Sequence, residues 1–353
     1  MTGSGSRSAA SEALARGTVI PAHPLAITED KALDERRQRA LTRYYIDAGA
    51  GGVAVGVHTT QFAIRDPRFG LYEPVLRCAA DTVAEFSPGD AFVKIAGVSG
   101  AIDQAVAEAE VAADLGYDAV LLSPNATTSL SEEDLVRRTR AVGGVLPVIA
   151  FYLQPAVGGR RFSEEYWTRT ADIESVVAVK LAPFSRYRTL EAVRGIVRSG
   201  RGADVALYTG NDDTIVNDLV TDFHVGAAGE TRRFVGGLLG QWAVGTRAAV
   251  ELFATIRSAS TGDDEALRRA IARGSDVTDA NSALFDTAHD FAGSIAGINE
   301  HLRRQGLLAG NWCLEEAEVL SPGQAEELSR VRSAYPWLTD DAFVAENLDR
   351  WLG

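Results

Sequence analysis

One lysine carries the first chemical argument. The chain of 353 residues holds three lysines, Lys31, Lys94 and Lys180, against 32 arginines. Arginine stays protonated at any relevant pH, whereas a lysine amine can be neutralised by its surroundings and can act as a nucleophile. Arginine carries the surface charge here, so a lysine inside an apolar strand calls for a chemical reason. Lys180 is such a residue, in Val176-Val177-Ala178-Val179-Lys180-Leu181. Free lysine, with a pKa of about 10.4, is neutral to well under about 1% at pH 7. Burial destabilises the ammonium and raises that fraction. The neutral amine adds to a ketone and loses water to give a Schiff base. Its protonated form is an electron sink for C–C cleavage, C–C formation or dehydration.

Such chemistry needs proton carriers close by. Side chains alternate between the two faces of a strand. On that rule Val176, Ala178 and Lys180 face inward, with the bulkier Val177, Val179 and Leu181 facing outward. In the preceding strand Val148, Ala150 and Tyr152 are read as inward, and Ile149, Phe151 and Leu153 as outward. In the second strand Ala54, Gly56 and His58 are read as inward, with Thr59 and Thr60 opening the next loop. The pattern predicts that Lys180, Tyr152, His58, Thr59 and Thr60 meet at one mouth. Tyr152, held by a threonine hydroxyl, would shuttle protons, and Thr59 and Thr60 would hold a carboxylate. His58 either fills space or carries protons, with an ordinary pKa of about 6.5. Lys94 shares an inward parity with Phe92 and Ala96, but deeper, and is read as the partner of a buried acid.

The elements that must position these residues are eight apolar runs, at 18–27, 52–57, 91–98, 119–123, 147–153, 176–182, 204–209 and 234–239. Helix-like stretches separate them, one opening with the capping-box sequence Ser131-Glu132-Glu133-Asp134. Alternation of this kind implies parallel βαβ units. Eight units make a (β/α)8 TIM barrel, which takes about 250 residues and carries its active site at the C-terminal ends of the strands. A doubly wound sheet would carry a glycine-rich phosphate loop after its first strand, and Val19-Ile20-Pro21-Ala22-His23-Pro24 is not one. Beyond 240 the period is helical throughout, over 243–258, 264–274 and 278–295, with two more helices starting near Ser321 and Thr339. The expected organisation is a flexible tail over 1–16, a barrel over 17–240, and a helical C-terminal region over 241–353 packed on the barrel.

A net charge of -13 without any Lys/Arg-rich run argues against nucleic acid and anionic membranes as partners. The N-terminal stretch has no apolar h-region, and no window has 18 apolar residues, so a cytoplasmic protein is expected. Cys78 and Cys313 stand outside any CxxC or Cys/His cluster, and the histidines show no HxH or HExxH spacing. Neither a disulfide framework nor a metal or other cofactor is expected.

Taken in order, these segments resemble the dihydrodipicolinate synthase / N-acetylneuraminate lyase family of class I aldolase-type barrels. Ala48-Gly49-Ala50-Gly51-Gly52-Val53 is similar to its AGxxGl approach to the second strand, and His58-Thr59-Thr60-Gln61-Phe62 stands at its GTTGE loop. Tyr152-Leu153-Gln154-Pro155 is similar to its YNxP turn, Ala178-Val179-Lys180 to its lysine strand, and Thr209-Gly210-Asn211-Asp212 to its sGdD turn. The resemblance implies Lys180 as imine former, Tyr152 as proton relay, and Thr59 and Thr60 as carboxylate binders. Gly210 and the arginine after the YNxP turn, Arg160 or Arg161, are further candidates for substrate contact. It also implies a homo-oligomer, dimer or tetramer. The departures point to a divergent branch. His58 replaces a glycine of GTTGE and its glutamate is gone; Ser123-Pro124-Asn125-Ala126 stands where a tyrosine pair is usual. The function read from these residues is a Schiff-base-forming lyase (aldolase, dehydratase or condensing enzyme) acting on a pyruvate-like 2-keto acid. The alternative is a catalytically reduced barrel that binds a ligand or partner.

Overall fold

The structure is a computed structural model that describes residues 9–89, 91–225 and 229–353. Eight parallel strands form the barrel: β1 (Val19–Pro21), β2 (Gly52–Val55), β3 (Val93–Val98), β4 (Ala119–Leu122), β5 (Val148–Leu153), β6 (Val176–Ala182), β7 (Ala206–Thr209) and β10 (Gly236–Leu239). They follow one another around the sheet in chain order, and β1 pairs with β10. A parallel bridge from Ala22 to Ala54 brings the β1 end to β2. Between β7 and β10 lies a short antiparallel ribbon, β8 (Phe223–Val225) with β9 (Glu230–Arg232), which the apolar pattern did not predict.

Every barrel strand is buried on both faces. Ile20, Ala54, Ile95, Leu121, Ile149 and Leu238 fill the interior. Val53, Ala96, Val120, Ala150, Val179 and Leu207 pack outward against the helices. That double burial explains why the strands read as continuous apolar runs. Between them the helices begin where side chains can serve the unpaired N–H groups. Ser131 and Asp134 form the expected reciprocal cap: the Ser131 hydroxyl accepts the Asp134 N–H at 3.1 Å, and the Asp134 carboxylate accepts the Ser131 N–H at 3.0 Å.

Three expectations need correction. Residues 9–16 are not a tail. Ala9–Arg16 is a helix whose Ala10, Ala13 and Leu14 join the barrel interior, and the Leu14 carbonyl accepts the Tyr208 hydroxyl at 2.8 Å. The rest of the expected tail, 1–8, lies outside the described residues. Second, Val93 and Ile95 face the barrel interior, so Lys94 points outward. Its backbone N–H donates to Asp118 Oδ2 at 2.8 Å. Third, the helix expected over 278–295 ends at Leu284, and the next begins at Ser294. Between them Asp286, Asp290 and Phe291 all have positive φ, which a helix cannot accommodate.

The C-terminal region is helical as expected. Thr246–Ser260 packs on β1, and Asp341–Leu352 lies on the helix Glu35–Asp47. There Trp351 meets Tyr44 with ring centroids 5.4 Å apart, and the Tyr44 hydroxyl donates to Asp340 at 2.8 Å. No helix among the described residues is long and apolar enough to cross a membrane.

Candidate active site

Lys180 lies on the inner face of β6, near the C-terminal end, where the sequence reading put it. The residue is 8% exposed. It has room because β7 is followed by Gly210, where a Cβ would stand 2.5 Å from the Lys180 Cε. On its other side Phe151 of β5 is in register with it, and the Lys180 Nζ sits 4.2 Å from the centre of that ring. A cavity opens above this point, at the C-terminal mouth of the barrel. Its polar lining is His58, Thr59, Gln154, Lys180, Asp212 and Ser294.

Asp212 follows Gly210 in the turn after β7 and faces the same cavity. One carboxylate oxygen accepts the Gln241 N–H at 3.2 Å, and its backbone carbonyl accepts the Asn281 side chain at 2.6 Å. The turn itself is held from behind. Asp218 accepts hydrogen bonds from Thr209 at 2.6 Å and from Asn211 at 2.9 Å, and it is paired with Arg186.

Burial sets the proton affinities. It lowers the Lys180 pKa below the ordinary lysine range, and the Asp212 carboxylate opposes that shift. Burial likewise raises Asp212, against the pull of the Lys180 charge. His58 is lowered to about 4, first by burial and then by the Lys180 charge, so its ring is neutral at pH 7. The site thus combines an amine biased toward its neutral form, a carboxyl biased toward its protonated form, and a neutral imidazole.

Of the expected site residues, Lys180, His58, Thr59 and Gly210 meet at this cavity. Tyr152, Thr60 and Arg160 do not. In a parallel pair, residues in register point to the same side; Phe151 pairs with Lys180 and Tyr152 with Leu181. Tyr152 therefore faces the helix layer, stacked on Trp167 at 5.4 Å and edge-on to Phe162 at 5.3 Å. The inward reading of β5 had the wrong phase. Thr60 is turned into the loop: its hydroxyl donates to the His23 carbonyl at 2.6 Å and accepts the Gly56 and Val57 N–H groups. Arg160 donates to the carbonyls of Thr127 and Leu130, bracing the loop after β4. His23 is also outside the cavity, within a buried cluster with Thr42 and Gln38.

Sequence reasoning missed Asp212, although its place just past a barrel strand is where such sites lie. It also missed Phe184, Phe285, Phe291 and Ser294, which line the cavity from the loop after β6 and from the C-terminal region.

A sequence model of the Dihydrodipicolinate synthetase family matches residues 16–249. The chain belongs to that family. Its matched span covers the whole barrel, including Lys180, Gly210 and Asp212. Solved structures with the same fold include dihydrodipicolinate synthase from Bacillus anthracis, 20% identical, covering 90% of this chain and 98% of that one, with a TM-score of 0.72. N-acetylneuraminate lyase from Fusobacterium nucleatum is 19% identical, with 91% and 99% covered and a TM-score of 0.69. A monomeric dihydrodipicolinate synthase variant is 18% identical, with 92% and 98% covered and a TM-score of 0.72. No curated protein matches the sequence. Enzymes of the dihydrodipicolinate synthetase family are lyases of the aldolase type. Among the described residues, no group of three or more His, Cys, Asp or Glu could hold a metal ion, and Cys78 and Cys313 are both free thiols.

Proposed function

We propose that the protein is an aldolase-type lyase that joins a pyruvate-like 2-keto acid to Lys180 as a Schiff base. The observation that carries this reading is the buried amine of Lys180 at the C-terminal mouth of the barrel, beside a buried carboxyl. Burial raises the neutral share of the amine above that of a free lysine, and that form attacks the C2 carbonyl. Water leaves as the carbinolamine collapses to the iminium. Loss of a proton from C3, or of a carbon fragment at C3, sends the electron pair into the iminium and leaves an enamine.

Each proton transfer needs a partner in the cavity, and Tyr152 is on the wrong face to be one. Asp212 and His58 are the titratable groups that share the cavity with Lys180. Asp212, biased toward its acid form, is suited to protonate the departing hydroxyl, and neutral His58 to accept a proton. Thr59 is proposed to receive the carboxylate. Its hydroxyl now donates to the Ala22 carbonyl at 2.9 Å and would turn toward the substrate. We further propose that the protein is cytoplasmic and, as the family resemblance implies, a homo-oligomer.

Borohydride reduction in the presence of pyruvate, followed by intact mass, tests the reading. An adduct in the native chain and none in Lys180→Ala supports it; an adduct that survives the substitution overturns it. A second reading rests on Tyr152 facing away: a barrel that binds a keto acid without turning it over. Tight binding with no trapped imine favours that one.

A further inference from the structure

The cavity has a second half that the Schiff base does not explain. Beyond the strand ends its walls are Leu153, Val157, Phe184, Phe285 and Phe291, with the neutral Gln154 and Ser294 between them. Phe184 and Phe291 come from segments far apart in the chain and meet edge to face, with ring centroids 5.6 Å apart at 71°. Both hold backbone conformations that bulky residues rarely adopt, with φ of 48° at Phe184 and 70° at Phe291. Strain of this kind persists only where the surroundings impose it.

Here they do. The Phe184 N–H donates to the Asn211 side chain at 3.0 Å, so the turn after β7 fixes the loop after β6. The Phe291 N–H donates to the Asp286 carbonyl at 3.1 Å. The buried Asp286 carboxylate in turn accepts the Gly293 N–H at 2.9 Å and the Ser321 hydroxyl at 2.5 Å. Two separate hydrogen-bonded loops therefore hold one aromatic pair over the mouth.

Charge points the same way. Lys180 is the sole lysine or arginine lining the cavity among the described residues. An outer groove continues from it past His58, Val157, Phe291 and Ser294, and carries Asp66, Glu315 and Glu318. The nearby arginines are engaged: Arg65 with Glu108 at 3.0 Å, Arg68 with Asp66 and Glu315, Arg160 with loop carbonyls. Asp66 and Glu315 share Arg68, and burial raises Glu318 to about 7, so among the described residues the groove offers an anionic tail no cation without a carboxylate partner.

Resting on the Schiff-base reading, we propose that the far end of the substrate is uncharged and apolar. The geometry points to a 2-keto acid with an aromatic or branched aliphatic substituent beyond C3, held against Phe184, Phe285 and Phe291. Phe184 and Phe291 are the specificity-determining pair, and keto acids with an anionic far end are rejected.

The test compares three probes in borohydride trapping on the full chain: pyruvate, 2-oxo-4-phenylbutanoate and 2-oxoglutarate. The phenyl compound is expected to reach half-saturation at a concentration lower than 2-oxoglutarate by at least about tenfold, the scale of discrimination that apolar contacts give. Phe184→Ala and Phe291→Ala should each shrink that ratio. Equal or better trapping of 2-oxoglutarate overturns this proposal while pyruvate trapping leaves the Schiff-base reading standing. A ratio unchanged in both variants removes the aromatic pair as its source. No adduct at Lys180 with any of the three removes the Schiff-base reading and this proposal with it.

Discussion

Phe151 stands in register with Lys180, its ring centre 4.2 Å from the Lys180 Nζ, and Tyr152 consequently points to the other side of the sheet. The ring face offers the ammonium some electrostatic compensation for lost water, and it fills the space beside the amine. On the proposed mechanism, the proton relay expected of Tyr152 falls to other groups.

Tyr152→Phe should leave imine trapping at Lys180 within about threefold of the native value. A relay at that hydroxyl would instead be worth about 100-fold or more. The ring is buried against Phe162 and Trp167 and the hydroxyl is hydrogen-bonded to the Phe162 backbone, so urea unfolding should show a loss of about 1 kcal/mol. A collapse of trapping without a change in stability would return Tyr152 to the mechanism.

Asp212→Asn should move the pH profile. Imine formation requires the neutral amine, so its rate rises with pH through the Lys180 pKa. The Asp212 carboxylate raises that pKa, against the lowering by burial. Removing the charge lets Lys180 fall further, and the rising limb of trapping rate against pH should shift to lower pH. A limb that stays in place, or moves up, contradicts the pairing. If Asp212 also protonates the departing hydroxyl, the plateau of the trapping rate at high pH should fall as well.

Gly210→Ala should damage the site more than the fold. A Cβ there would lie 2.5 Å from the Lys180 Cε and 2.8 Å from the Ala182 Cβ, so the lysine must move. A displacement of that order can cost about 100-fold in a positioned reaction. The check is trapping rate beside thermal unfolding; loss of both in proportion would mean a folding defect alone.

Thr59 and Thr60 should separate. Thr60→Val removes a hydroxyl that makes three hydrogen bonds within the loop, so stability should fall by about 1–3 kcal/mol. Thr59→Val should leave stability closer to native and raise the pyruvate concentration needed for half-maximal trapping. The reverse assignment of effects would place the carboxylate at Thr60.

Much of this was legible in the sequence where the residues alternate in kind. In β6, small Ala178 and Ala182 flank Lys180 on one face and bulky Val179 and Leu181 occupy the other, so the phase of Lys180 could be read. In β5, Val148-Ile149-Ala150-Phe151-Tyr152-Leu153 is apolar on both faces, and nothing in it distinguishes barrel interior from helix layer. The phase is set by pairing with β6, where the register shifts between Val148 and Ile149. Lys94 was misread for the same reason. Phe184 gave no local signal, because its positive φ is imposed by Asn211 from 27 residues further on, and Phe291 is held by Asp286 within a loop whose composition did not mark it as a helix break. The helix Ala9–Arg16 was hidden by its small and polar composition; only the barrel's open N-terminal end gives Ala10, Ala13 and Leu14 a place to be buried.

The central claim is that Lys180 is the nucleophile. Reduction with borohydride in the presence of pyruvate, followed by proteolysis and peptide mass mapping, tests it most directly. The account predicts a single reduced pyruvyl adduct, on the peptide carrying Lys180, with Lys31 and Lys94 unmodified. An adduct on Lys94 or Lys31, or a native chain that pyruvate never labels, would contradict it.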